Sequence, residues 1–267
     1  MNFSYLSNLI LIRVKYIPIV ANRLLTGLFF LIFSISCTTA FGQFYNEEED
    51  DDLLYRREFV YGLNFNTNGG LLGGIMFKHA RVINKFMFHS FSLEIVNVKH
   101  PKESRIQNIS TGSSYVPGKR NYLYMVRPQY GREFVLFQKA KEQGVQVNWI
   151  TAIGPGIGVV SPYLIDYNYD NDLIRTEQYD PNTHRNFDKI LGTGRITESI
   201  AKSKIKLGGS FKTSLSFEFG TFKNNVTGFE AGFMMDAFTD QIEIMATSEN
   251  RSIYTSAFLT FFYGTRK

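Results

Sequence analysis

The chain has 267 residues, 44% of them hydrophobic and 15% aromatic, with a formal net charge of +5. This length and composition allow one ordinary hydrophobic core, so composition alone permits a soluble domain. A single cysteine excludes a disulfide scaffold.

The N-terminal segment has the three parts of a secretory signal peptide. A basic stretch without acids (1–23) precedes a short apolar run (24–36), and Ala40 and Gly42 supply the small residues that signal peptidase reads. We therefore predict that residues 1–42 are a signal peptide cleaved before Gln43. The apolar run is too short for a typical membrane-spanning helix.

Two further features concern this end of the chain. Cys37 offers an alternative as a lipid-anchored first residue, although Ser34 stands where such sites usually carry a branched aliphatic residue. After the cleavage site, residues 47–52 are six consecutive acids, and such a run repels itself and is usually solvated. We predict a disordered periplasmic tail over 43–58, with docking of a partner or divalent cation as the alternative.

Cleavage also changes the charge balance. Residues 1–42 contain three basic residues and no acid, so their removal leaves 26 Lys and Arg against 24 Asp and Glu. The basic character of the whole chain therefore comes largely from the leader, and no nucleic-acid footprint survives its loss.

From Phe59 onward the sequence alternates as β-strands do. Predicted strands cover about 59–66, 71–80, 88–99, 121–137, 145–159, 204–220, 229–237 and 252–263. Asn68, Gly69 and Gly70 suit a tight turn with positive φ. Pro128 interrupts the fourth strand and predicts a bulge or a lost hydrogen bond there.

The stretch 204–220 shows the pattern most clearly. Apolar residues such as Ile205, Phe211 and Phe217 share one side of an extended strand, and polar residues such as Lys212 share the other. Its apolar side runs longer than a globular strand needs, whereas roughly 9 to 11 tilted residues cross a bilayer. The sequence thus predicts an all-β, eight-stranded antiparallel up-and-down transmembrane barrel over 59–267.

The connections and aromatic residues agree with an outer-membrane barrel. Connections after the second, fourth and sixth strands are shorter than those after the third and fifth, as expected when turns face the periplasm and loops face outside. The longest, 161–203, signals function or mobility. Interfacial girdles are predicted from these tyrosines: Tyr61, Tyr122, Tyr130, Tyr163 and Tyr263.

A barrel of eight strands is just wide enough for its own side chains to fill, which predicts a filled polar lumen. The predicted inward charges are nearly balanced: Lys78, Glu94, Arg127, Glu133, Lys206, Lys212, Glu218, Glu230 and Asp236. We expect a paired structural network rather than a proton relay or a narrow porin.

Motifs for chemistry are weak. The glycine-rich stretch at 154–158 lacks the following Lys and Ser or Thr of a phosphate loop and lies within a strand pattern, so it predicts wall bending. Histidines 79, 89, 100 and 184 have no metal-site spacing and are predicted to be surface residues. We predict no catalytic, cofactor-binding or metal-binding residue, and no cofactor.

An enzyme is the sharper alternative. Some eight-stranded barrels are similar to lipid acyltransferases or deacylases, which have a His and a Ser near the outer rim. The candidates here would be His100 with Ser104, or His100 with Ser113 and Ser114. Asp166 could orient the imidazole. No GxSxG motif supports this.

Four segments resemble small outer-membrane β-barrel proteins of the Bacteroidota: YGLNFNTNGG at 61–70, KHPKE at 99–103, SPYLIDY at 161–167 and the ending FLTFFYGTRK. Some similar small barrels accompany the type IX secretion apparatus. The resemblance implies a location and a fold but transfers no catalytic residue. Lys267 departs from the aromatic ending common in outer-membrane proteins.

Together these features predict a non-enzymatic barrel in the bacterial outer membrane. Its expected contacts are membrane lipid and an envelope protein complex, through tyrosine-rich loops or the acidic tail. A soluble lipocalin-like binder would share the two-residue period but would turn its apolar faces inward.

Overall fold

The computed structural model describes residues 57–138, 144–169, 173–219, 225–246 and 248–267. The predicted signal peptide, Cys37 and the acidic run lie outside these residues. Thirteen strands occur in the described part, in chain order β1 (Arg57–Asn66), β2 (Gly70–Asn84), β3 (Met87–Val98), β4 (Ile106–Gln107), β5 (Ser114–Tyr115), β6 (Asn121–Phe137), β7 (Gln146–Pro162), β8 (Leu164–Tyr169), β9 (Leu173–Gln178), β10 (Ile190–Thr193), β11 (Lys204–Phe219), β12 (Asn225–Ile242) and β13 (Arg251–Arg266).

Eight of these strands close into a barrel in the order β1-β13-β12-β11-β7-β6-β3-β2, with β2 pairing back to β1. Every neighbouring pair is antiparallel, and barrel strands that follow one another along the chain are neighbours in the wall. The predicted eight-stranded up-and-down barrel is confirmed. Its first strand begins at Arg57, slightly before the predicted start at Phe59.

The wall has the two faces that the sequence period predicts. Phe211 and Phe233 are 43% and 69% exposed on the outside, whereas the neighbouring Lys212 is buried inside. A soluble barrel with these aromatic residues sealed in its core is therefore excluded. The same alternation holds along β13, where Phe261 points out and Thr260 points in.

The β1–β2 turn follows from its residues. The Asn66 side-chain oxygen accepts hydrogen bonds from the backbone N–H of Asn68 (3.1 Å) and of Gly69 (2.5 Å). Gly70 has φ +82°, a conformation that glycine adopts without strain. The predicted turn at Asn68–Gly70 is confirmed.

Pro128 interrupts one ladder without shifting it. The β6–β7 pairs run to Val126↔Ile157 and resume at Tyr130↔Ile153 in the same register, while on the other side Pro128 still pairs with Leu93. The prediction of a local loss of pairing is thus correct, but no bulge forms at Pro128. The irregularity between β6 and β7 lies instead at Val135 and Phe137.

The long connections carry structure of their own. Strands β4 and β5 pair, and β10, β8 and β9 form a three-stranded sheet in that order, which we call the loop sheet. A 3-10 helix (Phe187–Lys189) precedes β10, and helix α1 (Ile196–Ala201) precedes β11. The connection 161–203 is therefore not a structureless loop. No helix in the described ranges is long and apolar enough to cross a membrane.

Candidate functional site

The middle of the barrel interior holds a network of buried charges. Lys212 Nζ lies 2.8 Å from Glu94 Oε1 and 3.2 Å from Glu230 Oε1. Ser214 donates to the same Glu230 oxygen at 2.7 Å. Because each charge has an opposite partner within hydrogen-bond reach, the cost of desolvating it is offset locally.

Arg127 extends this network to a neighbouring part of the wall. Its Nε and Nη2 donate to the two carboxylate oxygens of Asp236 at 2.9 and 2.6 Å, a bidentate arrangement that fixes the guanidinium plane. Its Nη1 is also 3.7 Å from Glu94 Oε2. Glu94 thus lies between two cations, Arg127 and Lys212, and joins the two halves of the network.

Three further ion pairs join buried side chains among the residues that the structure describes. Lys78 Nζ lies 3.1 Å from Glu133 Oε1. At the end of the barrel that carries the β2–β3 turn, Arg266 pairs with Glu58 at 3.0 Å and with Glu218. Sequence reasoning did not include Arg266 and Glu58, because they lie at the two ends of the barrel sequence, which meet only when the barrel closes.

One predicted inward charge is placed differently. Lys206 lies near the start of β11, where its Nζ is 2.8 Å from Asp240 and the two side chains are 41% and 63% exposed. The strand period is correct at Lys206, but the lumen ends below it, so this residue meets solvent instead of the network. The other eight predicted inward charges are buried: Lys78, Glu94, Arg127, Glu133, Lys212, Glu218, Glu230 and Asp236.

The lumen is not polar along its whole length. Above the charges, apolar side chains close it. We call this cluster the apolar plug: Val96, Val98, Leu123, Met125, Phe238, Ile242, Ile244, Met245 and Tyr254. Ile244 and Met245 belong to the β12–β13 connection, which crosses to the β5–β6 segment. There the backbone N–H of Arg120 donates to the Ile244 carbonyl at 2.9 Å.

The tyrosines of the long connection form a core rather than a contact surface. Tyr163, Tyr167 and Tyr179 are buried with Ile165 and Ile190, and the backbone N–H of Val116 donates to the Tyr163 hydroxyl at 2.8 Å. Burial raises the pKa of the Tyr163 hydroxyl. The placement of Tyr163 in an interfacial girdle is therefore wrong, whereas Tyr61 and Tyr263 do face outward in an edge-to-face pair.

His184 lies inside this loop core, where the sequence predicted a surface histidine. Its Nδ1 accepts from the backbone N–H of Asp180 at 2.9 Å, which assigns the proton to Nε2, 3.1 Å from Glu177 Oε1. The Tyr169 hydroxyl donates to the same oxygen. These bonds, that from Tyr169 first, lower the pKa of Glu177. The local sequence does not predict these contacts, because the pairing of β8 with β9 brings the residues together.

His100 is also buried, and both of its ring nitrogens are engaged. Nδ1 accepts from the backbone N–H of Lys102 at 3.2 Å, and Nε2 lies 3.2 Å from the Glu249 carbonyl oxygen, to which it donates. Asp166 instead accepts from Thr176 at 2.5 Å. Among the described residues, no hydrogen bond joins His100 to Asp166 or to serines 104, 113 and 114. The candidate triad is not assembled.

The β3–β6 connection, to which His100 belongs, contains a buried ion pair of its own. Lys119 Nζ lies 2.6 Å from Glu103 Oε2 and 4.5 Å from the centroid of the Tyr122 ring. Burial lowers the pKa of Lys119, against the opposing effect of Glu103. Glu103 also accepts from the His100 backbone N–H at 2.9 Å. The β3–β6 connection is therefore fixed over the barrel mouth.

The remaining motifs have structural positions. Residues 154–158 lie inside β7 as part of the wall. Gly154 allows a close approach of strands, because a Cβ there would stand 2.1 Å from the Pro128 carbonyl oxygen. Within the ranges that the structure describes, no group of three or more His, Cys, Asp and Glu could hold a metal ion.

Comparisons with known proteins give no family. No protein-family model matches the chain, and no curated protein matches it. Among solved structures, it is similar to Ail, the attachment invasion locus protein of Yersinia pestis (12% identity, TM-score 0.39, covering 80% of this chain and 100% of that one). It is also similar to Neisserial surface protein A (9%, 0.37, 80% and 97%) and to the outer membrane protein OprG from Pseudomonas aeruginosa (7%, 0.32, 80% and 96%).

Proposed function

We propose that this chain is a bacterial outer-membrane β-barrel that acts, without enzymatic chemistry, as an anchored scaffold component of an envelope assembly. The observation that carries the proposal is the inverted arrangement of the wall, with large apolar side chains outside and paired charges inside. Exposed to water, so continuous an apolar surface would be an aggregation liability. Facing lipid, it is the surface that a membrane barrel needs.

The orientation follows the asymmetry of the connections. The long connections, Lys99–Arg120 and Tyr163–Ser203, lie at one end, and the tight β2–β3 turn lies at the other together with both ends of the barrel sequence. Bacterial outer-membrane barrels keep short turns in the periplasm and long loops outside. Since β1 begins at Arg57, the predicted tail is shortened to residues 43–56. We therefore place the loop sheet on the cell exterior and this tail in the periplasm.

The scaffold role rests on what the loops present. The loop core is buried, so the exposed apolar residues of this region stand on a folded base: Ile106, Ile109, Leu173, Ile174, Phe187, Ile196 and Ile200. Ile109 is fully exposed. Apolar side chains held on an ordered surface bind a partner with little ordering cost. The resemblance to Bacteroidota barrels makes the type IX secretion apparatus the first assembly to search.

Geometry disfavours the two other functions considered. A rim enzyme needs a His with a free nitrogen beside a nucleophile, and His100 has neither within the described residues. A narrow porin needs an open lumen, and the apolar plug and the charge network fill it.

The test is affinity purification from gently solubilised membranes, after a carbonate wash has shown that the protein stays in the membrane fraction. We expect an envelope protein to co-purify with the wild-type chain. Replacing Phe187 and Ile109 with Asp should remove that protein, whereas Phe86→Asp at the β2–β3 turn should not. Partitioning into the aqueous phase, or recovery as a lone monomer under several conditions, would contradict the proposal.

A further inference from the structure

Strand β9 forms an open edge of the loop sheet. The sheet order β10-β8-β9 places it at one side, and among the described residues its backbone hydrogen bonds run to β8 alone. Five of its six residues are exposed, and Glu177 is half-buried. An edge strand with unpaired N–H and C=O groups is a template for another strand.

The opposite edge of the same sheet is covered. Asn108 Nδ2 donates to the Ile190 carbonyl at 2.8 Å, and Thr111 Oγ1 donates to the Leu191 carbonyl at 2.6 Å. Side chains from the β4–β5 segment thus satisfy carbonyls of β10 that another strand would need. The two edges differ in availability, and β9 is the open one.

The side chains of β9 complement themselves. If two copies of Leu173–Gln178 pair antiparallel with Thr176 opposite Thr176, each Arg175 stands opposite the Glu177 of the other copy. Opposed side chains in such a pair have Cβ atoms about 4.5 to 5.5 Å apart, close enough for an ion pair. A register centred on Arg175 would instead place two guanidinium groups face to face.

Arg175 and Glu177 are both available for an ion pair with a second copy. Arg175 has no ion-pair partner in the part of the chain that the structure describes, and its guanidinium lies 5.6 Å from the Tyr169 ring centroid. Glu177 accepts from His184 and Tyr169 through Oε1, which leaves Oε2 for a partner. His184 and Tyr169 also fix the carboxylate in position before any partner arrives.

We propose that β9 is a self-association edge, through which two copies of this chain join their loop sheets in the order β10-β8-β9-β9-β8-β10. The contact is isologous, since the same strand supplies both sides about a two-fold axis at Thr176. It goes beyond the proposed scaffold role, and purified protein in detergent tests it without any cellular partner.

The test uses Thr176→Cys in a chain whose single natural cysteine is replaced by Cys37→Ser. Oxidation of the folded protein should give a disulfide-linked dimer, because the two cysteines meet at the axis. Thr193→Cys on β10 is the matched control, with the same residue type on the covered edge, and should stay monomeric. Equal dimer yields from the two positions would overturn the proposal.

Charge reversal provides the second arm. Arg175→Glu should lower the dimer yield of Thr176→Cys by about tenfold, because like charges then oppose each other twice. Arg195→Glu, at an exposed position outside the sheet, should leave it unchanged. An unaffected dimer yield in Arg175→Glu would also overturn the proposal. This result does not depend on the Glu177→Arg variant of the next experiment, so it tests the proposal even if that variant does not fold.

Mixing distinguishes pairing from damage. Arg175→Glu and Glu177→Arg should each dimerise about tenfold less than the unreversed chain when present alone, because each opposes like charges. Combined, they restore opposite charges at both positions and should give mixed dimers, distinguishable by a size tag on one chain. Failure to recover mixed dimers from two folded variants would overturn the proposed register.

Discussion

Lys212 shows how one residue depends on the closed barrel. On the strand pattern it is an inward polar residue, and in the structure its ammonium bridges Glu94 and Glu230 with almost no exposure. Removing one member of a buried ion group leaves the others charged in a low-dielectric interior. The cost comes from the partners left behind more than from the lost attraction.

Lys212→Met should therefore lower the free energy of unfolding by about 3 to 5 kcal/mol. Lys206→Met on the same strand removes an exposed pair with Asp240 and should cost less than about 1 kcal/mol. Urea unfolding of both variants in one detergent provides the measurement. If Lys212→Met lowered the free energy of unfolding by no more than the small amount expected for Lys206→Met, the Lys212 network would not stabilise the barrel.

Two glycines of neighbouring strands give a second residue-scale prediction. A Cβ on Gly154 would stand 2.1 Å from the Pro128 carbonyl oxygen, whereas one on Gly209 meets nothing within 4 Å. Gly154→Ala should cost about 1 to 3 kcal/mol by displacing backbone. Gly209→Ala should be neutral or stabilise by up to about 1 kcal/mol, since alanine loses less entropy on folding. Urea unfolding tests the pair, and a harmless Gly154→Ala would refute the close approach.

At the scale of elements, the loop sheet depends on one carboxylate. The pKa of Glu177 is lower in the folded protein than its ordinary value of 4.5, because Tyr169 and then His184 donate to the ionised form. A carboxylate with a lowered folded pKa binds fewer protons in the folded state than in the unfolded state. Its stabilisation is complete above pH 4.5 and is lost as the pH falls through the lowered pKa.

We therefore expect β8 and β9 to lose amide hydrogen-exchange protection below about pH 4.5, while the barrel strands keep theirs. In Glu177→Gln, protection of the loop sheet should be lower at pH 7 and nearly independent of pH down to that range. Protection in the wild type that stays constant to pH 3 would exclude this role for Glu177.

The loop sheet also shows where sequence reasoning stops. In the wall, lipid on one side and packed side chains on the other impose a two-residue period, so Phe211 and Lys212 could be placed from sequence. Outside the barrel wall no such pair of environments exists. The buried positions of Tyr163 and His184 depend on strand pairing within 161–203, and the sequence carries no periodic signal for it.

The positions of the interior charges can be predicted only in part from the sequence. Their inward direction follows from the strand period, but their partners depend on which strands become neighbours. Glu94 and Lys212 are far apart in sequence and meet across the lumen. Lys206 has the correct parity and still lies outside the network, because the sequence does not mark where the lumen ends.

At the scale of the whole molecule, two different layers of side chains occupy the barrel interior. The apolar plug at the loop end includes Phe238 and Tyr254, packed edge to face at 6.2 Å between ring centroids. Beneath it the paired charges occupy the central cross-section. An ion would have to cross an apolar layer and then separate matched ion pairs, and both steps are costly.

Purified protein in a planar lipid bilayer should accordingly show no steady single-channel conductance at either polarity. Phe238→Ala should leave the bilayer silent as well, because the Arg127–Asp236 and Lys212–Glu230 pairs still fill the lumen beneath the plug. A porin added afterwards to the same bilayer verifies that channels would be detected. A steady large conductance from the wild-type chain would contradict the filled lumen and, with it, the proposed role of this barrel as an anchor instead of a pore.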